Sequence, residues 1–277
     1  MELNIEVCRT IAVQYGLPLQ YVIKEFHVFD VLGQVAAYSG RLIQDTDGRI
    51  VFKGGTALNK VYLGGMQRFS EDLDFDFEAE GDKGGMIISA LRDRCKDLAG
   101  NITGYDVSEF RRVKDTIQFY CNYTSPLGGL KDHVRVDASA KRILSEKPLE
   151  IRPAVSFFTK QTVSGFRAYS LEDLVARKLH ALNTRSEGKD VYDVSNALSL
   201  CGISELPGAI RKMLESEKSG ETPRDFLQKT IMNVRNADAK KLRNLSNPFI
   251  PLSSRPKDWL ELRNDLALRL ESLLSGS

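Results

Sequence analysis

The sequence is poor in the residues that bind soft metals or form disulfides. Only four cysteines and three histidines occur among its 277 residues. No two cysteines form a CxxC pair, which argues against both a disulfide framework and a zinc site. We therefore expect reduced thiols and a cytoplasmic protein. The residues concerned are Cys8, Cys95, Cys121 and Cys201, and His27, His133 and His180.

Long apolar runs and an excess of one charge are also missing. No stretch of about 18 uncharged apolar residues occurs, so no membrane span is expected. Residues 1–16 have early acidic side chains and no long apolar core, unlike a secretory signal. Lys and Arg number 39 against 37 Asp and Glu, a net charge of +2. This balance does not predict a strongly basic nucleic-acid binder, although an enzyme can confine its basic residues to one groove.

The pattern along the chain indicates an α/β region followed by a helical one. A composition of 42% hydrophobic and 27% charged residues is typical of a globular protein. Helical spacing over residues 2 to about 41 is broken at 16–18, and further helices are expected at 57–63, 84–98, 171–182 and 190–200. Strands are expected at 49–52, 73–77, 105–110, 116–123, 133–138 and 155–158. We place a domain boundary near 165–170, which separates residues 1–168 from residues 169–277.

Acidic and apolar side chains alternate in residues 73–77, within the acidic segment 69–77. On a strand, Asp72 and Asp74 would share one face roughly 6–7 Å apart, with Leu73 and Phe75 on the other. Neighbouring carboxylates repel each other unless a cation neutralises them. Magnesium combines a few carboxylates with phosphate oxygens and water. The pattern therefore predicts a magnesium site, with a solvated acidic edge strand as the alternative.

The surrounding sequence favours the metal site. Gly54 and Gly55 lie between a strand and a short helix, which is typical of a tight turn whose backbone approaches a ligand. The amides that begin this helix and the Thr56 hydroxyl are candidates for holding a triphosphate. Asp137 adds a third carboxylate on another expected strand. Three carboxylates can position two metal ions, one activating a hydroxyl and one stabilising the leaving pyrophosphate.

Two motifs, FKGGTALNK at 52–60 and RFSEDLDF at 68–75, resemble the AbiEii/AbiGii toxin-type nucleotidyltransferases. This family, with its MenT relatives, belongs to the DNA polymerase β-like nucleotidyltransferase superfamily. The motifs match residue by residue, and a weaker resemblance extends to about residue 200. It implies an α/β fold, in which a minimal nucleotidyltransferase core with a mixed sheet precedes a helical C-terminal domain. It also implies a toxin that transfers a nucleotide from an NTP with Mg²⁺, or alternatively Mn²⁺. The expected partners are a cognate antitoxin and, as for the MenT relatives, the tRNA 3′ end.

The helical half contributes candidate phosphate ligands. Lys178 and Arg185 are seven residues apart and share a helix face. Lysine would supply a point charge and arginine a planar fork, whereas an amphipathic helix with solvated charges is the alternative. The resemblance favours phosphate binding by Lys178, because the family carries a lysine helix followed by a KDxxD-like element, here Lys189, Asp190 and Asp193. One of these two aspartates would orient the lysine or assist deprotonation of the acceptor.

Several polar residues have two interpretations. Lys60 either reaches the phosphates along its helix or is a surface lysine, and Ser70 either contacts a phosphate or caps a turn. Arg68 is a candidate for neutralising the carboxylates. The basic runs at 111–114 and 240–243 either contact nucleic acid or are solvated.

Three functions are compatible with these patterns. The first is transfer of a nucleoside monophosphate from an NTP to RNA, with the tRNA 3′ end as the expected acceptor. The second is the same chemistry on a protein or small molecule. The third is a non-catalytic module that binds a nucleotide or an antitoxin, which the three clustered aspartates argue against. The sequence does not choose among acceptors.

Overall fold

Two helices open the fold in the computed structural model, which describes residues 3–45, 50–78 and 84–275. Helix α1 (Ile5–Tyr15) begins after Asn4, whose side chain accepts hydrogen bonds from two backbone N–H groups of the first turn. It ends at Gly16, which has a φ of 61°. Helix α2 (Leu19–Asp45) follows. The expected break at residues 16–18 is therefore present.

Within the described ranges, nine strands follow in chain order. They are β1 (Ile50–Lys53), β2 (Asp72–Glu78), β3 (Asp106–Val113), β4 (Thr116–Thr124), β5 (Lys131–Lys141), β6 (Glu150–Ile151), β7 (Ala154–Val155), β8 (Thr162–Val163) and β9 (Arg167–Ala168). Strands β7 and β8 pair with each other. The others form a seven-stranded sheet in the order β3-β4-β5-β2-β1-β9-β6. Because β2–β5 and β1–β9 are parallel and the remaining pairs antiparallel, the sheet is mixed, as expected.

The other helices are α3 (Gly54–Ala57), α4 (Gly84–Gly100), α5 (Leu171–Thr184), α6 (Gly188–Ala197), α7 (Leu206–Ser216), α8 (Pro223–Asn236), α9 (Ala239–Ser246) and α10 (Trp259–Ser275). The last six follow the sheet and form the helical C-terminal region. Helix α5 begins after Ser170, whose hydroxyl accepts a hydrogen bond from the Asp173 N–H. The expected boundary at 165–170 falls between β9 and α5, and a division into two domains stays a prediction. No helix in the described ranges is long and apolar enough to cross a membrane.

Alternation in β2 separates a polar face from the core. Leu73, Phe75 and Phe77 are buried in the main hydrophobic cluster, which spans the sheet and the C-terminal helices. Asp72 and Asp74 lie on the other face and are partly accessible. The core therefore fixes the register of β2, because a shift by one residue would place the aspartates in the hydrophobic cluster.

Two local expectations differ from the structure, and a third falls partly outside the described residues. The expected strand at 155–158 ends at Val155. The chain turns there, because the Ser156 hydroxyl accepts hydrogen bonds from the backbone N–H groups of Phe158 and Thr159. The helix expected at 57–63 begins at Gly54 and changes into a π-helical turn at Leu58–Tyr62. Residue 49, the expected start of β1, lies outside the described residues.

Candidate active site

The three predicted carboxylates lie on neighbouring strands. In the parallel pair β2–β5, Asp74 is in register with Asp137, and Asp72 with Arg135. All four residues line one cleft of about 470 Å³. Parallel pairing thus brings Asp137 close to Asp74 and Asp72, which precede it by 63 and 65 positions in the sequence.

Arg135 lies between two of these carboxylates. Its Nη2 is 2.5 Å from Oδ2 of Asp72, and its Nε is 3.4 Å from Oδ2 of Asp137. Within the described residues, no three His, Cys, Asp or Glu side chains are already arranged to hold a metal ion. The Arg135 guanidinium contacts two of the three acids, Asp72 and Asp137. A divalent cation at these oxygens would compete with Arg135.

The electrostatics of the three aspartates fit a hard cation. Burial raises the pKa of all three. Arg135 for Asp72 and Asp137, and Lys53 for Asp74, only partly offset that rise, and repulsion between neighbouring carboxylates adds to it. Oδ1 of Asp137 is buried without a hydrogen-bond partner. Magnesium binds carboxylate oxygens and would satisfy this atom while relieving the repulsion. The residues present therefore fit a magnesium site.

A glycine turn brings the backbone against these side chains. Gly54 has a φ of 77°, and a Cβ on it would lie 2.0 Å from Oδ2 of Asp74. A Cβ on Gly55 would lie 3.0 Å from Nη2 of Arg68 and 3.2 Å from Nζ of Lys178. Gly54 therefore requires glycine because of close approach and its left-handed backbone, whereas a Cβ on Gly55 would make a tight contact with the ends of two flexible side chains.

Replacing Gly54 with alanine is expected to lower nucleotidyl transfer by about a hundredfold, because a displacement of Asp74 by about 1 Å suffices for such a loss. The matched control is Gly64→Ala. Gly64 has a φ of 51°, and a Cβ there would meet no atom within 4 Å. Both variants carry about 1–2 kcal/mol of backbone strain. Melting temperatures and transfer rates separate the two effects; equal rates in both variants would contradict the role of close approach.

On the helical side of the cleft, Lys178 of α5 contacts two aspartates of α6. Its Nζ is 2.7 Å from Oδ1 of Asp190 and 3.0 Å from Oδ2 of Asp193. Burial alone would lower the pKa of Lys178, but the two carboxylates outweigh it and raise the pKa. The lysine is therefore held as a cation at the cleft wall. Within this network, α5 and α6 act as one rigid support.

Arg68 and Asn59 tie this support to the glycine turn. Arg68 makes a two-pronged contact with Asp193, with Nε–Oδ1 and Nη2–Oδ2 distances of 2.9 and 2.7 Å. The Asn59 amide donates to the Gly55 carbonyl and to Asp193, and its oxygen accepts from the Arg68 N–H. Arg68 thus neutralises Asp193, whereas the sequence analysis predicts that it neutralises the carboxylates of the acidic strand.

Asp190 bridges the two cationic side chains predicted to bind phosphate. It accepts from Lys178 and, at 3.0 Å, from Nε of Arg185, whose side chain is 54% exposed. Burial raises the pKa of Asp190, but Lys178 and Arg185 outweigh burial and lower it to about 2. The carboxylate is therefore ionised at neutral pH and holds both cations at the cleft.

The structure separates the predicted nucleotide-binding residues into two groups. Gly55, Ser70, Lys178 and Arg185 line the cleft together with Asp190 and the three strand aspartates. Three others lie behind it: Gly54, Thr56 and Lys60. The buried Thr56 hydroxyl donates to the Asp72 carbonyl and contacts the Ser70 hydroxyl at 2.9 Å, so it positions the acidic strand.

The sequence profile of the family described as "Nucleotidyl transferase AbiEii toxin, Type IV TA system" matches residues 40–271. The chain belongs to this family. The AbiEii match spans the sheet, both walls of the cleft and nearly all of the C-terminal helices. The protein is therefore a member of the toxin-type nucleotidyltransferases. Nucleotidyltransferases in general use NTPs and divalent metals.

Solved structures share the AbiEii-type fold of this chain. The nucleotidyltransferase toxin MenT4 from Mycobacterium tuberculosis is 17% identical with a TM-score of 0.56, and the match covers 99% of each chain. JHP933 from Helicobacter pylori is 16% identical with a TM-score of 0.52, and 94% of each chain is covered. A putative nucleotidyltransferase from H. pylori is 17% identical with a TM-score of 0.52, covering 94% of this chain and 97% of the other. No protein with a curated description is significantly similar in sequence.

Lys60, in the first AbiEii motif, has neither of the two roles expected of it. Its side chain is fully buried, and its Nζ lies 2.5 Å from Oε1 of Glu25 on α2. It also lies 4.8 Å from the Phe158 ring centroid. Lys60 therefore joins the motif helix to α2, and we do not include it among the phosphate ligands.

Two residues at this AbiEii site, Asn59 behind the cleft and Phe249 at its rim, were not predicted from the sequence. Asn59 contacts Gly55 one helical turn earlier, a spacing that a helical projection would have shown. Phe249 reaches the cleft rim from a turn between α9 and α10, far from either motif. Its position depends on tertiary packing, because the Phe69 N–H donates to its carbonyl at 2.7 Å.

Proposed function

We propose that this protein transfers a nucleoside monophosphate from an NTP to the 3′ end of tRNA by two-metal-ion catalysis. The observation that carries the proposal is the convergence of three carboxylates from the sheet and two cations from the helices on one cleft. Asp72, Asp74 and Asp137 would hold Mg²⁺. Bound magnesium would neutralise the triphosphate and make the attacking hydroxyl more acidic.

The chain's own residues would bind and orient the triphosphate. Lys178 is held protonated by Asp190 and Asp193 and presents a compact positive charge. Arg185 is half exposed and anchored at one nitrogen, which leaves its other donors for a phosphate. Ser70 and Gly55 add a hydroxyl and a backbone group that line the cleft. Phosphoryl transfer depends mainly on such positioning and charge neutralisation.

Asp190 and Asp193 fit an orienting role better than a role as general base. A carboxylate with a pKa of about 2 accepts a proton only weakly at neutral pH. Asp193 is fully buried, and both of its oxygens contact cations. We therefore assign both aspartates to holding Lys178, Arg185 and Arg68 in place.

Two considerations support the biological part of the proposal. The family supports an antitoxin partner, because its description names a type IV toxin–antitoxin system. The tRNA acceptor rests on the resemblance to the MenT toxins. An extended or blocked tRNA 3′ end would prevent aminoacylation and arrest growth, which is a direct route to toxicity.

Expression of the wild type in bacteria is expected to arrest growth and to add nucleotides to tRNA 3′ ends. Asp74→Asn is expected to do neither, because it removes a metal-binding charge at nearly constant volume. Sequencing of tRNA 3′ ends from both cultures tests this. Growth arrest with unchanged tRNA ends would refute tRNA as the acceptor. Equal toxicity of the two proteins would refute catalysis as the cause of toxicity.

A further inference from the structure

One surface of the helical region is basic and is not used by the proposed chemistry. Residues 240–257, which we call the basic segment, contain five cations and no acidic residue. Four are exposed and the fifth is half-buried: Lys240, Lys241, Arg243 and Lys257, and Arg255. In the described part of the chain, none of the five forms an ion pair. Their charges are therefore available to a ligand.

Two acidic residues, Asp238 and Asp258, flank the basic segment, and Asp238 also interacts electrostatically with Lys240 and Lys241. Asp238 accepts hydrogen bonds from the N–H groups of Lys240 and Lys241 at the start of α9. Asp258 accepts from the N–H groups of Leu260 and Glu261 at the start of α10. Both carboxylates are thus engaged as helix caps, which leaves a surface of one sign between them.

The basic segment reaches the rim of the active-site cleft. Phe249, in the middle of the segment, lines the cleft and accepts a hydrogen bond from the Phe69 N–H. Nζ of Lys189, another cleft residue, lies 4.2 Å from the Phe249 ring centroid. The Tyr21 ring stacks on Phe249 with 4.9 Å between centroids. These contacts fix the segment relative to the catalytic aspartates.

Two surface hollows continue outward from this rim. The first, of about 590 Å³, adjoins Phe249 through Asn247 and Pro248 and is lined by Arg243 and Arg255. The second, of about 430 Å³, is lined by Lys240, Lys257 and the same Arg243. Arg243 lines both hollows, so four of the five cations lie along one surface path that begins next to Phe249 in the chain, and Asp258 also lines the second hollow.

We propose that the basic segment binds the sugar–phosphate backbone of the RNA acceptor while its 3′ end lies in the cleft. This inference rests on the proposed function. An RNA whose end occupies the cleft has to leave it across the rim, and the basic segment is continuous with that rim. Spaced cations with amide side chains between them suit phosphates and riboses. This local path also explains how a protein of net charge +2 holds a polyanion.

The double variant Arg243→Gln/Lys257→Gln tests the inference, because both side chains are exposed and unpaired. Arg255 is left in place, since it donates to the Ile250 and Gly16 carbonyls. The control is Arg224→Gln/Lys96→Gln, which removes one arginine and one lysine from exposed positions of α8 and α4. Dissociation constants for labelled bulk tRNA are measured over a range of salt concentrations, with chelator present to prevent transfer.

The basic-segment variant is expected to bind tRNA about 25-fold more weakly at 0.1 M salt, because each phosphate contact on a single strand contributes about fivefold. The slope of log K against log salt is expected to fall by about 1.4, or about 0.7 for each contact. The control variant is expected to match the wild type in both. Melting temperatures of all three proteins verify folding.

The possible results separate the inference from the proposed function. If the wild type adds nucleotides to RNA but the basic-segment variant binds tRNA unchanged, the inference is overturned and the proposed function stands. Equal weakening by the control variant would also overturn the inference, because the effect would then be general. If the variant binds tRNA normally but escapes inhibition by the antitoxin, the segment binds a protein instead. Absence of any tRNA binding by the wild type would overturn both proposals.

Discussion

Asp74→Asn is expected to lower nucleotidyl transfer more than about a thousandfold, because loss of a residue that merely supports a metal ligand already costs about 10- to 100-fold. Asp74 adjoins Gly54 on one side and is in register with Asp137 on the other. Initial rates with a labelled NTP, for the variant and the wild type, measure the effect.

The matched control for this change is Asp106→Asn, the same substitution at an exposed position on β3, outside the cleft. It is expected to keep wild-type activity. If Asp74→Asn retained a tenth or more of the wild-type rate, or if chelator left that rate unchanged, metal binding by this aspartate would be refuted.

The same substitution is expected to raise the melting temperature of the metal-free protein by a few degrees at neutral pH. Burial and the neighbouring Asp137 raise the pKa of Asp74 in the folded state. The folded protein then binds this proton more tightly than the unfolded chain, so stability falls as the pH rises through that range. Asparagine carries no charge, so the variant does not lose this stability at neutral pH. Saturating Mg²⁺ is expected to reverse the order, since it stabilises only the wild type.

Lys178→Ala is expected to lower transfer by about 10²- to 10³-fold, the usual effect of removing one preorganised group that stabilises transition-state charge. The loss is expected mainly as weaker use of NTP, because Lys178 faces the cleft beside Arg185. Replacement of the exposed Lys96 on α4 by alanine is the control and is expected to change nothing. Rates are measured over a range of NTP concentrations.

The Lys178 variant is expected to stay folded. Breaking a buried ion pair outright costs about 3–5 kcal/mol. Here Asp190 keeps Arg185 and Asp193 keeps Arg68, so neither carboxylate is left without a cation. The free energy of unfolding should therefore fall by less than that range. If this variant kept the wild-type rate at low NTP concentration, the assignment of Lys178 to phosphate binding would be refuted and its role would be structural.

Local patterns in the sequence were sufficient to predict the acidic strand. Alternation in residues 72–77 fixes which side chains face the core, because the strand period is two. The N-cap at Ser170 and the break at Gly16 also depend on neighbours within a few residues. The mixed sheet and the helical C-terminal region followed from the resemblance to a known family, and the structure agrees.

Pairings between distant residues were beyond the reach of these patterns. Lys60 contacts Glu25, and Arg68 contacts Asp193, across 35 and 125 positions. Lys60 lies one helical turn after the glycine turn. Its side chain faces the interior and not the cleft because α2 packs there and supplies Glu25. The position of Arg135 between two acids likewise requires the parallel register of β2 and β5. Tertiary packing decides all of these contacts.

Incubation of the purified protein with total RNA, Mg²⁺ and each of the four NTPs, labelled at the α-phosphate, tests the central claim most directly. We predict label on RNA of tRNA size with at least one NTP, released by 3′-exonuclease digestion and absent with Asp74→Asn or with chelator. Absence of label with all four NTPs, or label confined to protein, would contradict the claim that this cleft transfers nucleotides to an RNA end.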